Sequence, residues 1–147
     1  MGSKLGSAFL AGMFFTFFLD FFFILGLFLN YIQAQEIDVY YNVLFADHQN
    51  IFLYALGVVV FGYLFLFYKI KSAVIIFIIS FAVVNLTQIP SIGKRAGEMI
   101  FAQENKIISS GKHVYIGTVV YEGRDKFWFY DDELQEIITI EKDKINE

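Results

Sequence analysis

The sequence contains no cysteine and a single proline in 147 residues. Without cysteine the chain can form no disulfide, has no thiol nucleophile and offers no thiolate ligand to a metal. Charged residues make up only 18% of the chain, and the net charge is −4. Acidic residues outnumber basic ones in the last third of the chain, and this excess of negative charge argues against a nucleic-acid surface.

Motifs that carry catalytic or metal chemistry are also missing. The sequence has no glycine-rich phosphate loop and no serine, histidine and aspartate arrangement of a hydrolase. The acidic stretch Asp131-Asp132-Glu133 lacks the alternating ligands and the glycine of a calcium-binding loop, so we expect a solvated turn there. We therefore expect no enzyme activity, no cofactor and no metal site.

Apolar residues, in contrast, are abundant. They make up 57% of the chain, with 20% aromatic residues and a mean hydropathy of +0.57, whereas soluble domains rarely exceed half apolar content. Three runs, at about residues 8–32, 51–68 and 73–89, are long enough or nearly so to cross a bilayer. The first run is too long for a signal peptide, so we expect a retained helix. The sequence predicts an α-helical membrane protein with three transmembrane helices in a transmembrane domain at residues 1–92.

The short loops between these runs differ in charge. The loop between the second and third runs carries Lys69 and Lys71, whereas the loop between the first two carries Glu36, Asp38 and Asp47 without any basic residue. Because basic residues of short loops stay in the cytoplasm, we expect the N-terminus inside and the C-terminal part outside. Lys94 and Arg95, which follow the third run, favour the opposite orientation. We expect the bacterial cytoplasmic (inner) membrane as the location.

The loop after the first run has its own periodicity. Over about residues 36–48 the apolar and aromatic residues recur with a spacing of three and four, which predicts an amphipathic helix. Tyrosines on this face are typical of a helix that lies at the level of the lipid headgroups. The members of the face are Ile37, Tyr40, Tyr41, Leu44, Phe45 and His48.

Asp20 is the only charged residue of the first apolar run. If this run crosses the membrane, Asp20 lies near the midplane, where an ionisable residue is costly and generally functional. Ala8, Gly12 and Thr16 precede it at four-residue spacing, so all four residues share one helix face. Small residues at this spacing let helices approach closely in lipid. Asp20 then either hydrogen-bonds or pairs with a neighbouring helix, or binds and relays a proton or cation.

Polar residues also cluster near the outer end of the third run. Asn85 and Thr87 either line a hydrated site together with Asp20 or form hydrogen bonds between helices. We therefore count Gly12, Thr16, Asp20, Asn85 and Thr87 as candidate partner-binding or proton-binding residues within the membrane.

The composition changes after the only proline. A connecting helix is expected at residues 93–109, followed by a small extramembrane β module at residues 110–147 with strands near 113–121, 126–130 and 136–142. This antiparallel meander, a small open barrel in shape, is too small to be comfortably stable alone. Its aromatic strand predicts an exposed contact surface, formed by Phe127, Trp128, Phe129 and Tyr130. We expect the module to dock on the membrane helices, on copies of itself or on another protein.

Together these features favour a non-enzymatic accessory, structural or assembly subunit of a larger membrane protein complex. Its expected partners are the lipid bilayer and other membrane subunits or copies of the chain, and not nucleic acid. The alternative is a homo-oligomeric membrane protein that translocates protons or cations through Asp20, with carboxylates from several copies around a shared axis.

Overall fold

The computed structural model describes residues 2–110 and 113–145, with side chains from Lys4 onward. It is mostly helical and carries a four-stranded antiparallel sheet near its C-terminus. The helices are α1 (Gly2–Leu27), α2 (Tyr41–His48), α3 (Ile51–Phe67), α4 (Ile70–Val84) and α5 (Pro90–Phe101). The strands are β1 (Gln103–Ser110), β2 (His113–Glu122), β3 (Lys126–Asp131) and β4 (Glu136–Glu141).

Two of the helices extend beyond their α-helical part. A π-helical segment, Phe28–Ile32, and a 3-10 turn, Gln33–Gln35, continue α1, while the 3-10 turn Asn85–Gln88 continues α4. The extended helices Lys4–Gln35 and Ile70–Gln88 are long and apolar enough to cross a membrane. A third crossing exists if α2 and α3 count as one broken span, but these two helices are bent by 81°.

The helix α3 runs antiparallel to α1. Gly62, near the end of α3, lies beside Ala8, and Gly57 lies beside Thr16, about two turns further along α1. The helix α4 runs in the same direction as α1, because its aromatic rings contact those of α1 in matching order. The rings of Phe77 and Phe15 are 4.4 Å apart, and Phe81 contacts Phe18 and Phe22 further up. The three helices thus form an apolar bundle.

The sheet is a meander in the order β1-β2-β3-β4. Its inner face encloses a small core of Ile108, Val119, Phe129 and Ile140. The sheet curls so far that Ser110, at the end of β1, forms a bridge with Ile145, which follows β4. The expected meander is therefore confirmed, with one more strand than the three predicted.

The second core joins the sheet to the helices. Its members, all at most 6% exposed, come from α1 and its π-helical segment, from the α1–α2 loop, from α2, from α5 and from the outer face of β2 and β3. They are Ile24, Leu27, Tyr31, Ile32, Ile37, Leu44, Phe101, Val120, Tyr121 and Trp128. We call this set the junction core. The β module therefore docks on helices of its own chain.

Two predicted boundaries need correction. The connecting helix does not extend over residues 93–109, because α5 ends at Phe101 and Gln103–Ser110 form the edge strand β1. The amphipathic helix after α1 is shorter than residues 36–48 and begins at Tyr41. Its apolar side packs on α1 and in the junction core: the Tyr41 hydroxyl donates to the Phe21 carbonyl at 2.9 Å, and Leu44 is fully buried.

Candidate functional site

Asp20 lies on α1 at the corner between α2 and α3. Its carboxyl is half-buried, and the side-chain amide of Gln49, the residue that ends α2, hydrogen-bonds to it. Ile24, one helical turn further along α1, already belongs to the junction core. Asp20 therefore lies where the apolar bundle meets the junction core.

The depth of Asp20 along the bundle follows from its neighbours. Gln49 is two residues before the first residue of α3, so α3 begins level with Asp20. At the end of α4, the Gln88 side chain donates to the Phe22 carbonyl at 3.0 Å, so α4 ends at nearly the same level. Beyond Asp20 the long apolar run leaves the bundle and enters the junction core, so Asp20 lies at the end of the three-helix bundle and not at its middle. Its expected position at the membrane midplane stays a prediction.

Gly12 and Thr16 lie in the contact between α1 and α3. A Cβ atom at Gly12 would lie 2.9 Å from the backbone nitrogen of Gly62, and one at Gly57 would lie 2.6 Å from Cγ2 of Thr16. The small residues thus allow the close helix contact that their spacing predicts. This seam is filled by the chain's own α3. Thr16 is 5% exposed, and its hydroxyl has no hydrogen-bond partner among the described residues.

Asn85 and Thr87 are held by backbone carbonyls. The Asn85 amide donates to the Phe81 carbonyl at 2.8 Å, and the Thr87 hydroxyl donates to the Val84 carbonyl at 2.9 Å. Thr87 packs against Gly26 of α1. A Cβ atom added at Gly26 would lie 2.6 Å from the Cβ of Thr87. Gly26 follows Asp20 by six residues, which is about a third of a turn around the helix. The hydrogen bonds that the structure gives Asn85 and Thr87 thus run to backbone carbonyls, and Thr87 packs on a different side of α1 from Asp20.

The aromatic strand is mostly buried inside the protein. Trp128 is 6% exposed and faces the junction core, while Phe129 is fully buried on the inner face of the sheet. Phe127 is half-buried and packs against the same inner core, and Tyr130 remains 38% exposed. The prediction of an exposed four-residue contact surface is therefore wrong for Trp128 and Phe129. Their burial partners are supplied by α1 and by the curl of the sheet.

Tyr31 connects α1 to the sheet through a hydrogen bond. The pairing of β2 with β3 shifts between Val119 and Tyr121, which leaves Val120 as an extra residue in a β-bulge. The carbonyl of Val120 accepts a hydrogen bond of 2.8 Å from the Tyr31 hydroxyl. Tyr31 is 1% exposed and lies in the π-helical segment, a distortion that often marks functional positions.

Two glycines let α5 lie directly on this part of α1. A Cβ at Gly93 would come within 2.8 Å of Cβ of Asn30, and one at Gly97 would come within 2.7 Å of Cδ2 of Tyr31. Asn30 also donates to the Thr87 carbonyl at 2.9 Å. This contact was not among the expectations from the sequence. The four-residue spacing of Gly93 and Gly97 is the signal that predicts it.

An ion pair between Arg124 and Asp47 lies beside the junction core, at the end of α2. Nε of Arg124, in the β2–β3 turn, lies 2.9 Å from a carboxylate oxygen of Asp47. The hydrogen bonds from Arg124 hold the pKa of Asp47 below its usual value. Beside it, the His48 ring lies 4.8 Å from the Phe101 ring and 5.7 Å from the Tyr121 ring. Burial lowers the pKa of His48 despite the nearby Asp47.

No group of three or more metal-ligating side chains lies close enough to hold a metal ion within residues 2–110 and 113–145. The arrangement around Asp20 can accept hydrogen bonds or a positive charge from a neighbouring molecule. Comparison of the chain with family models, with curated proteins and with solved structures gave no match.

Proposed function

We propose that this chain is a non-enzymatic accessory or assembly subunit of a larger membrane protein complex. Asp20 carries this proposal. An ionised carboxylate offers about four acceptor positions, which is more than the two donors of the Gln49 amide can fill. A basic or amide side chain of another subunit would donate to the same carboxylate.

The position of Asp20 suits such a contact. It is half-exposed at the end of an apolar bundle whose α3 and α4 surfaces are also exposed, including Leu56 and Val59 on α3 and Ile75 and Ile79 on α4. A neighbouring transmembrane helix can pack on such a surface and bring a donor to Asp20. A carboxylate in a setting of low polarity binds a charged partner more strongly than one in water does.

The distribution of charge supports an orientation for this subunit. Lys4 lies beside Phe65 and Leu66 near the end of α3, so it shares one end of the bundle with Lys69 and Lys71. The β module lies beyond the opposite end. By the positive-inside rule the basic end is cytoplasmic, and the module is then outside a bacterial cytoplasmic membrane.

The test is purification of the tagged protein from its own host in mild detergent, followed by native mass spectrometry. We expect co-purifying membrane subunits with the wild-type chain. Asp20→Asn should retain them if hydrogen bonding suffices, because the amide keeps the shape, and should weaken their binding if the partner side chain is charged, because the ion pair is then lost. Asp20→Leu should lose them. The control is Asp38→Leu, a change at an exposed carboxylate outside the helices. Full retention of the partners by Asp20→Leu would contradict the proposal.

The same experiment separates the alternative function. A proton-translocating or cation-translocating homo-oligomer would run as a single species at a multiple of 17.0 kDa. The purified protein would then support pH-dependent flux in liposomes, and Asp20→Asn would abolish it. That pair of results would replace the accessory-subunit proposal.

A further inference from the structure

The helix α5 has three distinct faces. Gly93, Gly97 and Phe101, spaced by four, are buried against α1 and the junction core. The charged residues Lys94, Arg95 and Glu98 form a second face, on which Nζ of Lys94 lies 4.0 Å from a Glu98 oxygen. The third face is apolar and exposed, and we call it the free apolar face. Its members, with their exposed fractions, are Ile89 (45%), Ile92 (40%), Met99 (87%) and Ile100 (51%).

Both ends of α5 lie next to the ends of apolar helices. Pro90, its first residue, comes two residues after the end of the α4 extension. Phe101, its last residue, packs on His48, which is three residues before the start of α3. Since α4 ends and α3 begins at the same level of the bundle, α5 lies across the end of the bundle, parallel to the plane in which these helices end.

The free apolar face also continues the apolar surface of the bundle. Leu86, at the end of the α4 extension, is 45% exposed, and Ile89 follows it by three residues. At the other end of α5, the exposed Ile51 and Phe52 begin α3. Apolar surface in the plane where membrane helices end, beside basic residues on the same helix, is what an interfacial helix presents to lipid.

We propose that α5 lies on the membrane surface, with its free apolar face in the headgroup region and Lys94 and Arg95 near the lipid phosphates. The occupant of this face is lipid of the leaflet next to the β module. The module is thereby held against the membrane rather than extended away from it. This contact does not depend on a partner subunit, so it is tested separately from the proposed complex.

The lack of native cysteine makes a direct test practicable. Single-cysteine variants Ile92→Cys and Ile100→Cys carry a fluorescent label on the free apolar face, and Glu98→Cys carries the same label on the charged face. All three positions are exposed, so the label should not disturb the fold. Ile79→Cys, 58% exposed in the middle of α4, is the reference for a label in contact with lipid.

The labelled proteins are reconstituted into vesicles of phosphatidylcholine and phosphatidylglycerol, and two quenchers are compared. A lipid with a nitroxide near its headgroup should quench the labels at positions 92 and 100 several-fold more than the label at position 98. Iodide in the water should show the opposite order. Iodide quenching equal to that at position 98 would overturn the proposal. Protection from both quenchers would also overturn it, because a protein partner or second copy would then cover the face.

Discussion

Gly97→Ala tests the contact between α5 and α1. The new Cβ would lie 2.7 Å from Cδ2 of Tyr31, which is 0.7 Å less than the 3.4 Å at which ordinary contact begins, and it would lie closer still to the Cβ and Cγ atoms of that residue. These atoms are close to the backbone of α1 and cannot swing away. The substitution must therefore move α5 off α1 or turn the Tyr31 ring.

The expected cost combines three effects. Overpacking of this kind costs about 1 to 3 kcal/mol, and weakening the Tyr31–Val120 hydrogen bond adds about 1 kcal/mol. The gain in helix propensity from glycine to alanine offsets about 1 kcal/mol. We expect a net loss of about 2 kcal/mol, which corresponds to a fall in Tm of about 4 to 8 °C for a chain of this size.

The assay is thermal unfolding in detergent, followed by fluorescence of Trp128. This residue is the only tryptophan of the sequence and lies in the same core as Tyr31. The control is Gly6→Ala on α1, where a Cβ would meet nothing within 4 Å. Gly6→Ala should leave Tm unchanged or slightly raised. Equal Tm values for the two variants would refute the close contact as a determinant of stability.

Three further variants test other parts of the structure. Tyr31→Phe should lower the free energy of unfolding by about 1 kcal/mol, since the carbonyl of Val120 in the bulge loses its donor. Denaturant unfolding measures this loss, and an unchanged denaturation midpoint would show that water replaces the hydroxyl. Thr16→Val keeps the shape of a buried residue and removes an unpaired hydroxyl, so Tm should stay equal or rise; a clear fall would reveal a partner for that hydroxyl. The folded-state pKa of His48 is lowered, so its contribution is complete above about pH 6.5 and is lost as the pH falls through the lower folded value. Tm should therefore fall as the pH is lowered below about 6.5, and His48→Gln should flatten that part of the curve; an equal slope in both proteins would assign it to other groups.

The apolar helices and three strands could be predicted because their patterns are local. The strand β1 could not, because its first residues, Gln103-Glu104-Asn105-Lys106, are polar and exposed on both sides. Only its pairing with β2 makes this segment a strand. Such non-local pairing leaves no trace in periodicity.

The burial of Trp128 and the place where α1 leaves the bundle were missed for a common reason. Residues 24–32 are as apolar as the earlier part of α1, because the interior of a protein and the interior of a bilayer select the same side chains. The pattern therefore could not tell where α1 leaves the bundle. The seam of Gly12 and Thr16 was predicted from spacing alone, but the identity of its partner helix, α3, required the structure.

The junction core also decides where the chain can be cut. Trimming the hydrophobic helices to obtain a soluble fragment is the usual route for studying the outer part of a membrane protein. Here a fragment that starts at Pro90 would lose Ile24, Leu27, Tyr31 and Ile32, and it would leave Tyr121 and Trp128 facing water. Because the second half of α1 contributes to the core shared with the sheet, a well-behaved fragment has to include that part of the helix.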